Sequence, residues 1–182
     1  MTSELRLLAD VHAPATADRL EVERLVHAPH EAVFDLLADP SRHHLTEPTD
    51  WVRGSLEADP PRLAEAGQVF GIEMFHVAAG GRYEMQNVVL GIEPGRSIAW
   101  EPASRGESGA IEGGGWYWRY DLEDRGEDTL VRLSYDWAAT PPEIAEEIGG
   151  LPSVGEDFLH ESLAALARAV ETPRSEDQQG ER

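Results

Sequence analysis

The chain has 182 residues, 41% of them apolar and 27% charged, which is enough for one domain with a sizeable core. Its net charge of −20, from 35 acidic and 15 basic residues, opposes binding to DNA, RNA and anionic lipid surfaces, because these partners need basic side chains to neutralise phosphate. The absence of Cys excludes disulfides, thiolate metal ligands and Cys nucleophiles.

The two ends of the chain are predicted to lie outside the domain. Residues 1–17 form a leader that is either disordered or a short helix packed on the domain. Glu4, Arg6 and Asp10 interrupt its apolar residues, unlike in a secretory signal, and no stretch of the chain is apolar enough to cross a membrane. We therefore expect a cytoplasmic protein. The tail, residues 172–182, has no apolar residue and is predicted to be disordered.

A strand, a corner and two short helices open the domain. Leu20 and Val22 alternate with charged residues within Arg19–Val26, which predicts a strand. Pro29 suits the first turn of a helix, where its missing N–H costs nothing. That helix is predicted to end at Asp39-Pro40, because the residue before a proline is driven out of helical space. Residues 41–45 are predicted to add one more helical turn.

The middle of the chain changes to the two-residue period of strands. Six further strands are predicted between compact turns, over residues 51–56, 69–78, 83–92, 97–101, 115–123 and 129–137. Pro102–Gly114 is a Gly- and Ser-rich loop, which we interpret either as a lid over one end of the sheet or as flexible surface decoration.

The last element is the strongest helix of the chain. Pro141-Pro142 breaks the final strand, and a short helical turn is predicted over 143–148. Ser153–Val170 then shows apolar residues at three- and four-residue spacing, which is typical of a helix with one buried face. The residues of this face are Leu159, Leu163, Leu166 and Val170, with Phe158 and Ser162 on the flank.

Four segments together resemble the SRPBCC superfamily, the helix-grip or START-like group of Bet v allergens, polyketide cyclases and dehydrases, and chaperone-activator-like domains. They are the corner APHEAVFDLLADPSR, the strand pair Asn87–Trp100, the hairpin Trp118–Trp137 and the final helix. The resemblance covers residues 19–171. It implies an α+β helix-grip fold, in which a seven-stranded antiparallel sheet wraps around the long C-terminal helix and two short helices follow the first strand. We expect a single domain over 18–171, with a ligand cavity between sheet and helix.

Within this plan, side-chain alternation predicts which residues face the cavity. One wall is aromatic, because the large rings share the phase opposite to Arg119 and Asp121. The residues predicted to face inward on this side are Trp100, Trp116, Trp118, Tyr120, Leu133, Tyr135 and Trp137. Their rings either line a partly open pocket or pack on the helix as ordinary core.

The opposite wall is more polar, and the final helix adds two residues from its flank. The residues predicted to face inward here are Phe70, Ile72, Met74, His76, Tyr83, Met85, Asn87, Phe158 and Ser162. His76, Tyr83 and Asn87 form a candidate hydrogen-bonding set for a ligand carbonyl or hydroxyl. The alternatives are that His76 lies at a strand end near solvent and that Asn87 marks a β-bulge.

The sequence argues weakly for a metal site and carries no familiar catalytic motif. His43-His44, with Glu47 and His76, could suggest metal ligands, but adjacent histidines point in different directions. We therefore predict no metal and no cofactor, and we place His43 and His44 at the rim of the pocket. The patterns GxSxG, HExxH and GxGxxG, as well as the Walker motif, are absent from the sequence.

Three functions follow from these predictions. The first is binding of a small hydrophobic or aromatic molecule, such as a lipid or polyketide, in the cavity. The second is a polyketide cyclase/dehydrase-type enzyme, with His76 as acid/base, Tyr83 or Tyr120 donating to a developing oxyanion, and Asn87 orienting the substrate. The third is a chaperone-activator-like protein-binding domain, ranked last because the sequence marks no exposed apolar patch. The ligand, the reaction and the oligomeric state stay open.

Overall fold

A computed structural model describes residues 18–106 and 108–171 as one antiparallel sheet curled around a long helix. The strands are β1 (Arg19–Val26), β2 (Val52–Ser55), β3 (Val69–His76), β4 (Gly81–Glu93), β5 (Ser97–Arg105), β6 (Ile111–Gly113), β7 (Tyr117–Arg125) and β8 (Asp128–Asp136). The helices are α1 (His30–Leu37), α2 (Pro142–Glu147) and α3 (Glu156–Val170), with 3₁₀ helices at Pro40–Thr46 and Val77–Ala79. The helix-grip prediction is confirmed. The predictions for residues 1–17 and 172–182 lie outside the described residues.

The sheet follows the predicted plan, with one extra strand. Its order is β1-β8-β7-β5-β4-β3-β2, and β6 pairs with β5 beside this path. The prediction of an irregular loop over Pro102–Gly114 is wrong, because β5 continues to Arg105 and pairs with Ile111–Gly113. Gly and Ser are poor strand formers, so local propensity hides a strand that backbone pairing with its neighbour creates.

A β-bulge in β4 interrupts the pairing with β5. The register shifts between Val89 and Gly91, while Asn87 pairs regularly with Phe70 on β3 and Pro102 on β5. The bulge therefore lies at Leu90, and Asn87 keeps the inward phase of its strand. An extra residue of this kind bends the strand and increases its twist, which helps the sheet to curl around the helix.

The helices complete the core on the concave face of the sheet. Val33, Leu36 and Leu37 of α1 are fully buried, and Asp39 caps the following 3₁₀ helix by accepting a hydrogen bond from the Ser41 backbone N–H at 3.0 Å. The predicted apolar face of α3 is buried, except that Val170 is only partly buried. Within the described residues, no helix is both long and apolar enough to cross a bilayer.

The helix α3 begins three residues later than predicted, at Glu156. Gly155 stands in an extended conformation before it, and Glu156 and Asp157 occupy the first turn. Carboxylates in a first turn are stabilised by the positive end of the helix dipole. The residues between α2 and α3 are thereby left as an irregular segment, which reaches the cavity described below.

Candidate functional site

A cavity of about 920 Å³ lies between the concave face of the sheet and α3. Strands β3, β4, β5 and β7 supply the largest group of lining residues, and α3 contributes Phe158 and Ser162. The 3₁₀ helix Pro40–Thr46 closes one side, and residues 147–154 close another. This volume lies within the range of pockets that bind small molecules in proteins.

Most of the residues predicted to face inward do line this cavity. They are Phe70, Ile72, Met74, His76, Tyr83, Met85, Asn87, Trp100, Trp116, Trp118, Tyr120, Leu133, Phe158 and Ser162. Alternation along paired strands explains this result, because the register places Trp100 opposite Trp118 and Tyr120 opposite Leu133 on the same face of the sheet.

Tyr135 and Trp137 do not line the cavity, which corrects the prediction for these two residues. The Tyr135 ring stacks on Trp118 with 4.3 Å between centroids, and its hydroxyl lies 3.0 Å from the Ser153 hydroxyl. Trp137 packs against Tyr135 at 5.0 Å. Both rings lie on the concave face of the sheet. However, Tyr135 packs against Trp118 and Trp137 packs against Tyr135, so the two rings belong to the hydrophobic core and not to the cavity wall.

His43 is the most important residue whose position the sequence misjudged. It is 6% exposed and lines the cavity, instead of lying at the rim. Its Nε2 lies 2.8 Å from the Leu37 carbonyl oxygen, which can only accept, so Nε2 carries the proton and Nδ1 keeps a free lone pair. Burial is the main cause that lowers the His43 pKa to about 4, so the ring is neutral at pH 7.

Aromatic rings form a continuous stack beside His43. The Trp100 ring lies between His43, at 5.0 Å, and Tyr120, at 5.6 Å, with both neighbours nearly parallel to it. Phe70 meets His43 and Trp100 edge-on, at 5.3 Å and 5.9 Å. Such offset and edge-to-face pairs add stability beyond the area they bury. The stack is therefore a rigid, mostly apolar floor at this end of the cavity.

The Tyr120 hydroxyl belongs to this floor and keeps its proton at neutral pH. Burial raises the pKa of Tyr120 to about 12, although the neighbouring Thr46 side chain partly opposes the rise. Thr46 itself donates to the His43 backbone carbonyl at 2.9 Å. Tyr120 can therefore act as a neutral hydrogen-bonding group, but it is a poor proton donor to a substrate.

A second aromatic group at the other end of the cavity centres on Trp51, which sequence reasoning left out of the site. The Trp51 indole N–H donates to the Tyr83 hydroxyl at 2.5 Å, and the Trp51 ring lies 5.8 Å from His76 and 5.9 Å from Phe158. Burial raises the pKa of Tyr83, and the bond from Trp51 partly opposes this rise. One feature of the sequence could have indicated this role of Trp51. It is an aromatic residue at the start of the predicted strand 51–56, which pairs with β3 and its inward-facing residues.

Asn87 and Ser162 are buried polar side chains that lack a partner within the described residues. They are 5% and 4% exposed, both line the cavity, and neither side chain makes a hydrogen bond there. Neither residue is among those with a fully buried polar atom that lacks a partner, which agrees with their place in the cavity lining. An unpaired buried polar group costs about 1–3 kcal/mol, which a bound molecule or water can offset.

The residues nominated for catalysis do not meet at one place. His76 is exposed at the end of β3, beside Trp51 and near Tyr83. The strand pairing locates Tyr120 relative to Tyr83. Tyr120 on β7 pairs with Ile98 on β5, and Ile98 pairs with Ile92 on β4. Ile92 is nine residues beyond Tyr83 on that strand. Measured along the strand, with one residue taken up by the bulge, this offset is about 27 Å. The geometry therefore separates the proposed acid/base from one of its two proposed hydrogen-bond donors.

The irregular segment that lines the cavity is 147–154, and not the predicted lid at Pro102–Gly114. Among the described residues of that predicted lid, only Pro102 lines the cavity, whereas every residue from Glu147 to Val154 does. Gly149 and Gly150 have φ values of 90° and 101°, a backbone region that residues with a Cβ rarely adopt. The Gly149-Gly150 pair after α2 is the feature of the sequence that could have indicated this irregular segment.

The acidic and imidazole groups near the cavity do not converge. No group of three or more His, Asp or Glu side chains among the described residues is placed to hold a metal ion. The Glu47 carboxylate is occupied by the backbone N–H groups of Thr49 and Trp51, both at 2.9 Å. His44 is exposed to solvent, whereas His43 is hydrogen-bonded to the Leu37 carbonyl, so the two side chains do not face a common site.

Solved structures share this fold at low sequence identity. A protein from Arthrobacter aurescens has a TM-score of 0.61 and 14% identity, covering 94% of this chain and 99% of that one. Protein NE0264 from Nitrosomonas europaea has a TM-score of 0.60 and 15% identity, covering 85% and 95%. Protein CV1439 from Chromobacterium violaceum has a TM-score of 0.59 and 19% identity, covering 85% and 99%. These likenesses show the fold alone.

Family comparison agrees with the geometry. A search of curated proteins found no match to this chain. The family model described as "Polyketide cyclase / dehydrase and lipid transport" matches residues 17–171, which include all the strands and helices around the cavity. The chain therefore belongs to the polyketide cyclase/dehydrase and lipid transport family, within the SRPBCC superfamily that its sequence resembles.

Proposed function

We propose that the protein binds a small hydrophobic or aromatic molecule, such as a lipid, a polyketide or a similar metabolite, between the sheet and α3. The observation that carries this proposal is the cavity of about 920 Å³ itself. Its tryptophan and tyrosine rings form walls and leave the space between them open. Clefts of this size, mostly apolar with a few inward polar groups, are the usual form of small-molecule sites.

The protonation states of His43 and Tyr120 do not suit these two residues to proton transfer at neutral pH. A general acid or base works best when its pKa lies near the working pH. His43, with a pKa of about 4, and Tyr120, with a pKa of about 12, are both far from neutrality. We therefore rank the cyclase/dehydrase-type enzyme second, with His76 and Tyr83 as the residues whose replacement by Ala and Phe would test it.

A protein-binding role stays last. The large exposed apolar side chains of the described residues lie on different elements, with no two on the same strand or helix. They are Leu25, Leu45, Leu56, Val69, Val77 and Ile148. Docking surfaces for partner proteins normally present a contiguous apolar patch.

Two measurements test the binding proposal. Native mass spectrometry of the purified protein is expected to show a co-purified small molecule, or, after its removal, N-phenyl-1-naphthylamine is expected to bind with enhanced fluorescence. Ser162→Trp places a large ring in the cavity and is expected to reduce dye binding at least tenfold. His160→Trp, on the exposed side of α3, is the matched control and should bind normally. The absence of both a co-purified mass and dye binding would overturn the proposal.

The proposed setting is the cytoplasm, and the proposed partner is the small molecule alone. The net charge of −20 supports a protein that avoids phosphate-rich surfaces. Cell fractionation with an antibody against the protein checks the compartment. A filter-binding assay with random-sequence DNA and RNA, at low salt, checks that neither nucleic acid is retained.

A further inference from the structure

We infer that the molecule in the cavity is uncharged and carries a hydroxyl, amide or carbonyl group that pairs with the Asn87 amide and the His43 Nδ1 atom. This inference rests on the proposed function and specifies its ligand. It uses two features of the wall: the absence of a charged partner at the buried end, and the presence of unpaired neutral polar groups there.

The first feature concerns the charges around the cavity. The chain contains no Lys, and no Arg is among the described residues that line the cavity. Among the described residues, the carboxylates on the wall are Glu47, already bonded to backbone N–H groups, and Glu147, which is exposed. A ligand carboxylate or ammonium at the buried end would lose its water without gaining an opposite charge, which is strongly unfavourable.

The second feature is the cluster of neutral polar atoms at the aromatic floor. Asn87 is paired in register with Phe70, and the Phe70 ring lies 5.3 Å from the His43 ring. Trp100 stacks on His43 and pairs with Val89, the next inward residue of β4. Asn87 and His43 therefore serve the same end of the cavity, around Phe70 and Trp100.

The chemistry of these two groups defines what they can recognise. Asn87 offers two N–H donors and one carbonyl acceptor. His43 uses its Nε2–H on the Leu37 carbonyl, so its Nδ1 offers an acceptor only. A ligand hydroxyl or N–H can donate to Nδ1, and a ligand carbonyl or hydroxyl oxygen can accept from the Asn87 amide. Both pairings are neutral, and neither compensates a buried ionic charge.

The test uses N-phenyl-1-naphthylamine as the fluorescent reporter and four competitors with the same ring skeleton. They are 2-naphthalenemethanol, 2-methylnaphthalene, 2-naphthoate and 2-naphthylmethylammonium. The alcohol is expected to displace the reporter best and the methyl compound about fivefold less well, the range of one neutral hydrogen bond. The two ions are expected to be weaker than the alcohol by about 30-fold or more. Adding 0.5 M NaCl screens the protein's net charge, and the ranking should persist.

A pair of variants on β4 locates the polar contact. Asn87→Leu keeps the branched shape of the side chain but removes the amide, so the alcohol should lose its advantage over 2-methylnaphthalene. Gln86→Leu removes an amide at the adjacent β4 position, which does not line the cavity; it is the control and should keep that advantage. Circular dichroism melting establishes that both variants fold.

The outcomes separate this inference from the proposal beneath it. If the reporter does not bind the wild-type protein, the proposed function fails. If the reporter binds but naphthoate or the ammonium compound competes as well as the alcohol, the uncharged-ligand inference is overturned while the binding function stands. If the ions compete poorly but Asn87→Leu keeps the alcohol's advantage, the assignment of the polar contact to Asn87 is overturned.

Discussion

His43 is expected to make the fold less stable as the pH falls from 7 to 5. Burial lowers its pKa to about 4, and the Leu37 carbonyl and Asp39 only partly oppose this effect. In the unfolded chain the imidazole titrates near its ordinary value of about 6.5. Between these two values the unfolded state binds more protons than the folded state. The free energy of unfolding therefore rises with pH in this window, and stability is lost as the pH falls.

The size of this effect follows from the shift. A pKa change of one unit corresponds to about 1.4 kcal/mol, so the full difference is about 3 kcal/mol. Only part of it develops between pH 7 and pH 5, where the linkage relation gives about 2 kcal/mol. This window stays above the isoelectric point of about 4.5, where the protein would lose its net charge and its solubility would fall.

Urea unfolding followed by tryptophan fluorescence at pH 7, 6 and 5 measures the effect. His43→Gln removes the titrating group, and the glutamine amide can still donate to the Leu37 carbonyl. The wild-type protein should lose about 2 kcal/mol more than His43→Gln between pH 7 and pH 5. His44→Gln, at the exposed neighbouring position, should behave like the wild type. Parallel pH profiles for the wild type and His43→Gln, or an NMR titration of His43 near pH 6.5, would refute the reasoning.

Three further changes test other parts of the structure. Leu163→Ala, at a site 1% exposed on α3, should lower the free energy of unfolding by about 2–5 kcal/mol in urea titrations, whereas exposed His160→Ala should change it little. Trp51→Phe removes the N–H that stabilises the Tyr83 phenolate, so the Tyr83 pKa should rise further in an ultraviolet tyrosinate titration; an unchanged pKa would contradict that contact. Gly150→Ala, at φ 101°, should strain residues 147–154 and speed release of N-phenyl-1-naphthylamine in stopped-flow measurements, unlike Gly155→Ala, at φ −95°.

Local patterns in the sequence were sufficient for most of the framework. Alternation predicted Arg19–Val26 with its observed bounds, and the Asp39-Pro40 break separated α1 from the 3₁₀ helix. The three- and four-residue spacing in α3 predicted its buried face. These features depend on neighbours close in sequence. The strand β6 was missed because its only strong signal is backbone pairing with β5.

Side-chain alternation was enough to predict which residues lie on the cavity side of the sheet, but not which of them reach the cavity. Alternation states which face of the sheet a side chain occupies, and most of the inward set does reach the cavity. The same phase puts Tyr135 and Trp137 on the concave face, yet Trp118 and Ser153 contact Tyr135 where a ligand would have to lie. Which rings remain open to the cavity depends on how neighbouring strands and loops fill the space.

Local sequence patterns were enough to predict the strands and helices other than β6, the inward face of those strands and the family resemblance, because periodicity and turn residues act over a few positions. Three contacts emerge only in the folded chain: His43 is buried against Trp100, Trp51 donates to Tyr83, and residues 147–154 line the cavity. These contacts join segments distant in the chain. Their geometry depends on the curvature of the whole sheet around α3, which no local pattern encodes.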